Sequence, residues 1–336
     1  MNKTLKYILR GGYQFFIKTG AGRFLLKQVI SIKYIKMNSA ALSSKCLKTP
    51  WVCEFPYNKN QCVAYINEVF NDYFVNSGLD ANSILGKTIL EIGPGENLGV
   101  ALRFLAAGAA RVVCIDRFNS LLGEEMQTEV YRTLFSGLQK SEQENLKDVI
   151  SFCDGTFRIN TAKLEYLNVS AENLDRSFPP LSFDLIVSRA VLEHVLLIEP
   201  AMEAMHKMLK PGGFMLHEVD FRDHGIFTNY KLPPLTFLSL STAKWIAMTS
   251  NLGAPNRRML GYYKSFFIEK GYLLDFLILR LFNSDTRVVK LKELSEEIIN
   301  TIAADTIQKQ VHPSCRIKGS EDLLAAAAFF CAKKNR

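Results

Sequence analysis

No aspartate or glutamate precedes Glu54 in this chain of 336 residues. Residues 1–53 carry ten Lys and Arg (Lys3, Lys6, Arg10, Lys18, Arg23, Lys27, Lys33, Lys36, Lys45 and Lys48), so the net charge of +8 belongs to an N-terminal arm and the remainder is close to neutral. Long apolar runs are missing too: nowhere do about 18 apolar residues follow one another without a charge, the length a membrane span needs. The arm instead alternates its cations with runs such as YQFFI and VISI. Such a segment can rest on an anionic bilayer, where each nearby cation contributes roughly 1 kcal/mol, or pack as a helical extension on the main domain. An acid-free amphipathic start also has the composition of a mitochondrial presequence, although Lys outnumbers Arg here. Nucleic acid is not expected as a partner, and nothing in the sequence speaks to oligomeric state.

The seven cysteines (Cys46, Cys53, Cys62, Cys114, Cys153, Cys315 and Cys331) form no CxxC pair. Their odd number, with no secretory signal peptide ahead of them, leads us to expect reduced thiols in a cytoplasmic, at most membrane-associated, protein rather than a disulfide framework or a zinc site. Repeats and low-complexity tracts are absent. Hydrophobic content of 48% and charged content of 22% are those of an ordinary globular protein.

What remains is an alternation of strands and helices. A helix is expected over 60–78, with Val63, Ile66, Val69, Phe70 and Phe74 at helical spacing and Gly78 to stop it. KTILEIG reads as a buried strand, 98–109 as a helix and RVVCID (111–116) as a second strand, which makes a βαβ unit and implies a parallel sheet covered on both faces. A polar helical stretch follows over about 119–148. Strands are expected at 164–169, 183–188 and 214–219, with a helix before the Pro211-Gly212-Gly213 punctuation. Region 226–262 breaks the rhythm with Pro233-Pro234 and NLGAPNRRMLGYY, and reads as an insertion over the carboxyl edge of the sheet. A helix (263–272), a strand (LLDFLIL), a helix (290–304) and a final strand (323–334) complete the pattern.

The first βα turn, ILEIGPGENLG (89–99), is where an open α/β sheet binds its ligand. Gly93 and Gly95 let the backbone approach closely, and the following helix offers free N–H groups. A dinucleotide fingerprint would place its third glycine one residue earlier than Gly99. Glu91 and Glu96 would repel a pyrophosphate. A cofactor that brings positive charge fits better: S-adenosylmethionine carries a sulfonium and an ammonium. Asp116, at the end of the next strand, suits both ribose hydroxyls.

These residues resemble the class I S-adenosylmethionine-dependent methyltransferases. LEIGPGEN is similar to their first motif and VVCIDRF to the second strand with its ribose acid. SAENL, SFDLIVSRAVLEHV and MLKPGGFMLHEV resemble the later motifs of the branch that acts on small molecules. The resemblance spans about 87–225 strongly and 263–334 weakly. It implies a Rossmann-like seven-stranded, mostly parallel sheet with helices on both faces and an antiparallel last strand. The expected division is a basic N-terminal helical extension (1–80), an S-adenosylmethionine-binding core (81–225), a lid or acceptor insertion (226–262) and the C-terminal part of the sheet (263–336). It implies cofactor contacts by Glu91, Gly93, Gly95 and Asp116. The family's third-strand Asp corresponds here to Ser170, so the adenine falls to Ser170 with Ala171, or to Glu172.

Candidates for chemistry lie beyond the strand ends. HEVDFRDH (217–224) offers Asp220 and His224 as base and Asp223 as acceptor contact, or else a cap and loop residues. His194 beside Glu193 is a near-cofactor position and a candidate base. Arg189, at a strand end, is counted with the cofactor contacts and could meet an anionic acceptor. Arg257 and Arg258 suit a carboxylate or phosphate, and Trp245 and Phe237 form an acceptor wall or simply core. No metal is expected: His217, Asp220 and His224 have a spacing that matches no familiar site. The reading is a methyltransferase for a small-molecule or sugar acceptor, with a lipid-linked glycan as one form. Its rivals are a non-catalytic methyltransferase-like binding module and an NAD-dependent oxidoreductase.

Overall fold

The structure is a computed structural model that describes residues 18–43, 58–282, 287–290 and 311–335, apart from 316, 318 and 320. The outer parts of the basic arm, and the helix expected over 290–304 beyond Lys290, lie outside the described residues.

The described chain runs α1 (Gly20–Ser43), α2 (Lys59–Ser77), β1 (Thr88–Ile92), α3 (Gly99–Ala106), β2 (Arg111–Ile115), α4 (Glu124–Ser136) and α5 (Lys140–Leu146). There follow β3 (Ile150–Cys153), β4 (Thr156–Ile159), β5 (Leu164–Leu167), α6 (Leu174–Ser177), β6 (Phe183–Arg189), α7 (Ile198–Met208) and β7 (Leu209–Asp220). The last elements are α8 (Thr242–Thr249), α9 (Leu260–Glu269), β8 (Leu273–Leu281), β9 (Arg287–Lys290), α10 (Glu321–Leu324) and β10 (Ala325–Lys333).

One sheet orders its strands β5-β2-β1-β6-β7-β10-β8-β9. The β5-β2-β1-β6-β7 part is parallel, and β10 runs antiparallel between β7 and β8. This is the expected seven-stranded arrangement with the short β9 added at one edge. The reversal of strand order falls at β1, between β2 and β6, so the carboxyl ends of these three strands border a crevice.

Period-two alternation sorts the strands between two cores. Leu90, Ile92, Val113, Ile115, Ile186 and Met215 face α7, α9 and the 226–262 segment. Ile89, Val112, Cys114, Leu185, Val187 and Leu216 face α2, α3, α4 and α5. Each such fully buried aliphatic side chain contributes about 1.5–3 kcal/mol. Helix α2 is fixed at both ends: Asn58 and Gln61 form a reciprocal capping box, and Gly78 closes it in the left-handed conformation.

Three details depart from the sequence expectation. The hairpin β3–β4 was not anticipated; Asp154 and Gly155, both at positive φ, make its tight turn. Strand β7 runs through the Pro211-Gly212-Gly213 punctuation because Gly212 and Gly213 pair by backbone hydrogen bonds with Lys334. The last strand begins at Ala325 rather than at 323, since buried Asp322 accepts from the Gly261 N–H (2.5 Å) and holds α10 as a helical turn.

Helix α1 docks on the 226–262 segment. Ile30, Ser31, Tyr34 and Asn38 face inward, Asn38 donating to the Ala247 carbonyl and accepting from Asn251 N–H. Its outward face is apolar: Phe24, Leu25, Val29 and Ile32 are 58, 52, 63 and 55% exposed. No described helix is long and apolar enough to cross a membrane.

Candidate active site

A cavity of about 460 Å³ opens at the carboxyl ends of β1, β2 and β6, a size suited to a small molecule. Strand β1 delivers Glu91 into it and then turns through Gly93, Pro94 and Gly95. Gly93 sits at φ 68°, and a Cβ there would meet Val191 Cγ2 at 2.5 Å. Gly95, at φ 75°, has open space around its α-carbon. Both positions therefore require glycine, the first for packing and conformation, the second for conformation. Gly99 serves a different purpose: it starts α3 where Ile66 of α2 would come within 2.2 Å of a Cβ. The late third glycine is thus explained by helix α2 crossing close over α3.

Glu91 is buried, and among the described residues its Oε2 accepts only from the Cys114 thiol at 3.4 Å. Burial pushes its carboxyl up to about 7, against the smaller pull of that thiol. Asp116 faces the cavity with one oxygen held by the Phe118 N–H at 2.9 Å, and burial raises its carboxyl as well. Glu96 is raised by burial too. Of the two arginines in the wall, Arg117 covers the Phe118 ring and Arg189 is paired with carboxylates, so Glu91, Asp116 and the glycine cradle make a site complementary to a ligand that carries positive charge and vicinal hydroxyls.

The other expected residues divide into those in the wall and those behind it. Ala171 and Glu172 line the cavity; Ser170 does not, and its hydroxyl accepts from the Asn173 side chain at 2.9 Å. Arg189 lines the cavity, but its guanidinium is already met by Asp72 at 2.5 Å, Glu68 at 3.5 Å and Glu218 at 3.6 Å. His194 forms part of the far wall; its Nδ1 lies 2.5 Å from the Gly253 carbonyl oxygen. Burial, then the neighbouring His224, lowers its pKa to about 4, so the ring is neutral and Nδ1 is the protonated nitrogen.

His224 stands behind His194, the rings edge to face with centroids 4.7 Å apart, and Asp220 is gripped by the Arg222 guanidinium. Neither is a cavity-wall residue. Asp223 is a cap: its carboxylate accepts from the N–H groups of Gly225, Phe227 and Thr228 and from the Thr228 hydroxyl. Arg257 turns inward as well, donating to the carbonyls of Phe237 (3.2 Å) and Leu240 (2.7 Å) under the Trp245 ring. Arg258 pairs with Glu199 and covers the Tyr262 ring. The guanidinium fork expected from these two arginines is therefore not formed at the cavity. Trp245 and Phe237 are core.

The sequence reading missed the contribution of α2. Cys62, Tyr65, Val69 and Tyr73 line the cavity. Their spacing of three and four residues is one helical stripe, a signal present in the sequence beside the stripe that was singled out.

A model of the methyltransferase-domain family matches residues 68–271. The chain belongs to the class I S-adenosylmethionine-dependent methyltransferases. The nicotinamide alternative is set aside by that match, and the methyltransferase takes S-adenosylmethionine as its cofactor. A comparison with curated proteins finds no match. Among solved structures the methyltransferase is similar to the YcgJ protein from Bacillus subtilis, with 14% identity and a TM-score of 0.40, over 81% of this chain and 99% of that one. It is similar to an S-adenosylmethionine-dependent methyltransferase from Mesorhizobium loti (13%, 0.41, 82% and 100%). A third is Haemonchus contortus phosphoethanolamine N-methyltransferase 2, in complex with S-adenosyl-L-methionine (15%, 0.41, 86% and 60%).

Proposed function

We propose that the methyltransferase acts on a small-molecule or sugar acceptor that enters the cavity beside His194, and that the outward face of α1 brings the chain to an anionic membrane surface, where a lipid-linked glycan would be presented. The observation that carries the acceptor class is the cavity itself, whose volume of about 460 Å³ has to serve cofactor and acceptor together. A cavity of that size takes a metabolite or a single sugar residue, including one carried on a larger glycan.

When bound, S-adenosylmethionine supplies a methyl group already activated by its sulfonium. The chain's own residues bind and orient. Glu91 meets the ammonium group, Gly93 and Gly95 admit the carboxypropyl arm, and Asp116 accepts the ribose hydroxyls. Ala171 and Glu172 flank the adenine. Arg189, saturated by three carboxylates, fixes α2 against β6 and β7 and so shapes the wall. His194 faces the acceptor. Being neutral but only weakly basic, its ring shapes the acceptor end of the cavity rather than removing a proton outright. Asp220 and His224 position His194 from behind. The 226–262 segment acts as the acceptor-side wall: Gly253 reaches the cavity, and Asn256 ties the segment to the carbonyls of Leu192, Glu193 and Val195.

The membrane part rests on α1, which has no acidic residue, carries Arg23, Lys27, Lys33 and Lys36, and leaves an apolar ridge outside. Because its other face is packed, removing the arm would uncover core. A double substitution on the ridge, Leu25→Glu with Val29→Glu, is the cleaner test. Pelleting with anionic vesicles should be lost while the melting temperature holds; equal pelleting would remove the membrane reading. Product masses over a panel of glycans and metabolites test the acceptor: a methylated protein or nucleic acid as the sole product would overturn the small-molecule reading.

A further inference from the structure

Behind the His194 wall, one ligand atom each from Glu193, His194 and His224 lies within 4.8 Å of the other two. From this cluster we infer that the methyltransferase holds a divalent first-row transition-metal ion between Glu193, His194 and His224, at the acceptor end of the cavity.

Three features of the cluster point to a cation. The first is Glu193, which is 1% exposed. Its Oε1 accepts from the Asp220 N–H at 3.3 Å, and its buried Oε2 has no hydrogen-bond partner among the described residues. A buried carboxylate oxygen without a partner costs free energy that a bound cation would recover.

The second feature is the orientation of the two imidazoles. His194 gives its Nδ1–H to the Gly253 carbonyl, which leaves the lone pair on Nε2. His224 is held by a backbone hydrogen bond to Asp220. A ring that donates one N–H to a main-chain carbonyl and keeps the other nitrogen as a ligand is the outer-shell pattern of metal-binding histidines.

The third is the donor set. Two imidazoles and one carboxylate are the ligands of open transition-metal sites, in which further positions are left for water or substrate. Such ions prefer imidazole where Mg²⁺ and Ca²⁺ prefer all-oxygen shells. The cluster borders the cavity, since His194 is also a wall residue. An acceptor hydroxyl could therefore complete the shell, and its proton would become easier to lose. The neighbouring Arg222 cation does not forbid this, because Asp220 neutralises it.

The full-length protein, treated with a chelator and then titrated with Co²⁺, provides the test. One equivalent should bind, with a visible spectrum of nitrogen and oxygen ligation and no thiolate charge-transfer band. Glu193→Gln and His224→Asn should each weaken binding by about tenfold or more, while circular dichroism and S-adenosylhomocysteine affinity stay as in the parent. Should Glu193→Gln fail to fold, His224→Asn decides alone. Absence of stoichiometric Co²⁺, a thiolate band, or equal affinity in a folded variant overturns the site. Loss of S-adenosylhomocysteine binding in the parent would instead count against the cofactor assignment and leave this result readable.

Discussion

At the end of the cavity formed by Glu91, Gly93, Gly95 and Asp116, each residue sits in or directly after the strand that carries it, β1 or β2. At the His194 end the walls come from separated pieces of chain: α2, the turn after β6, and the loop around Gly253. The first end needs only that two neighbouring parallel strands form. The second exists only after α2 and the 226–262 segment have docked on opposite faces of the sheet. A site built on strand termini is therefore written locally, whereas one built on docked segments depends on packing far from the ligand.

That contrast is open to attack by substitution. The largest effect is expected from Gly93→Val. A β-branched residue at φ 68° whose Cβ starts 2.5 Å from Val191 has no accommodating conformation. The variant should lose S-adenosylhomocysteine binding altogether and melt well below the parent; retained binding would break the account of the turn. Next in size is Arg257→Ala on the other side. Its buried guanidinium holds two carbonyls and the Thr242 hydroxyl, so truncation should cost about 2–4 kcal/mol and lower the melting temperature by roughly 3–6 °C. Cofactor affinity of the folded variant should be unchanged. A selective loss of acceptor turnover without loss of stability would instead restore the anion-binding role expected from the sequence.

A pH series gives a smaller, graded effect. Glu91 has its pKa raised to about 7, so a cationic ligand meets a mostly ionised carboxylate at pH 8 and a mostly protonated one at pH 6. Affinity for S-adenosylhomocysteine should fall by about tenfold across that interval. The stability sign is opposite: a raised carboxyl favours the folded state at low pH, and its contribution is lost as pH rises from the ordinary range through about 7. A flat binding profile between pH 6 and 8 would remove Glu91 as the ammonium's partner. The smallest effect belongs to Arg258→Ala, whose pair with Glu199 is partly solvated and should be worth under about 1 kcal/mol. Its melting curve and cofactor affinity should overlay the parent's.

The same contrast governs what could be read from the sequence. The βα turn, Asp116 and the strands around them were legible because apolar runs, glycine spacing and strand-end acids are local signals. The hairpin at 150–159 carried such a signal as well, in Asp154-Gly155 between two strand-like runs, and was passed over. The fates of Asp223, Arg257 and Arg258 were not legible. Polar residues in a loop look alike in sequence whether they meet a ligand or cap a buried turn; Asp223 caps the turn just after it, and Arg257 turns inward only once the 226–262 segment has folded on itself. The tyrosines of α2 lay between these cases. Their helical stripe was visible, but which face of α2 overhangs the cavity is set by the close crossing at Gly99.

The central claim is that the carboxyl ends of β1, β2 and β6 hold S-adenosylmethionine. Calorimetric titration of the parent and of Asp116→Ala with S-adenosylhomocysteine tests it most directly. The parent should bind one equivalent. The variant should bind more weakly by about a hundredfold, the loss given by two charge-assisted hydrogen bonds at roughly 1.5 kcal/mol each. No heat with the parent, or equal affinity in the two proteins, would contradict the account.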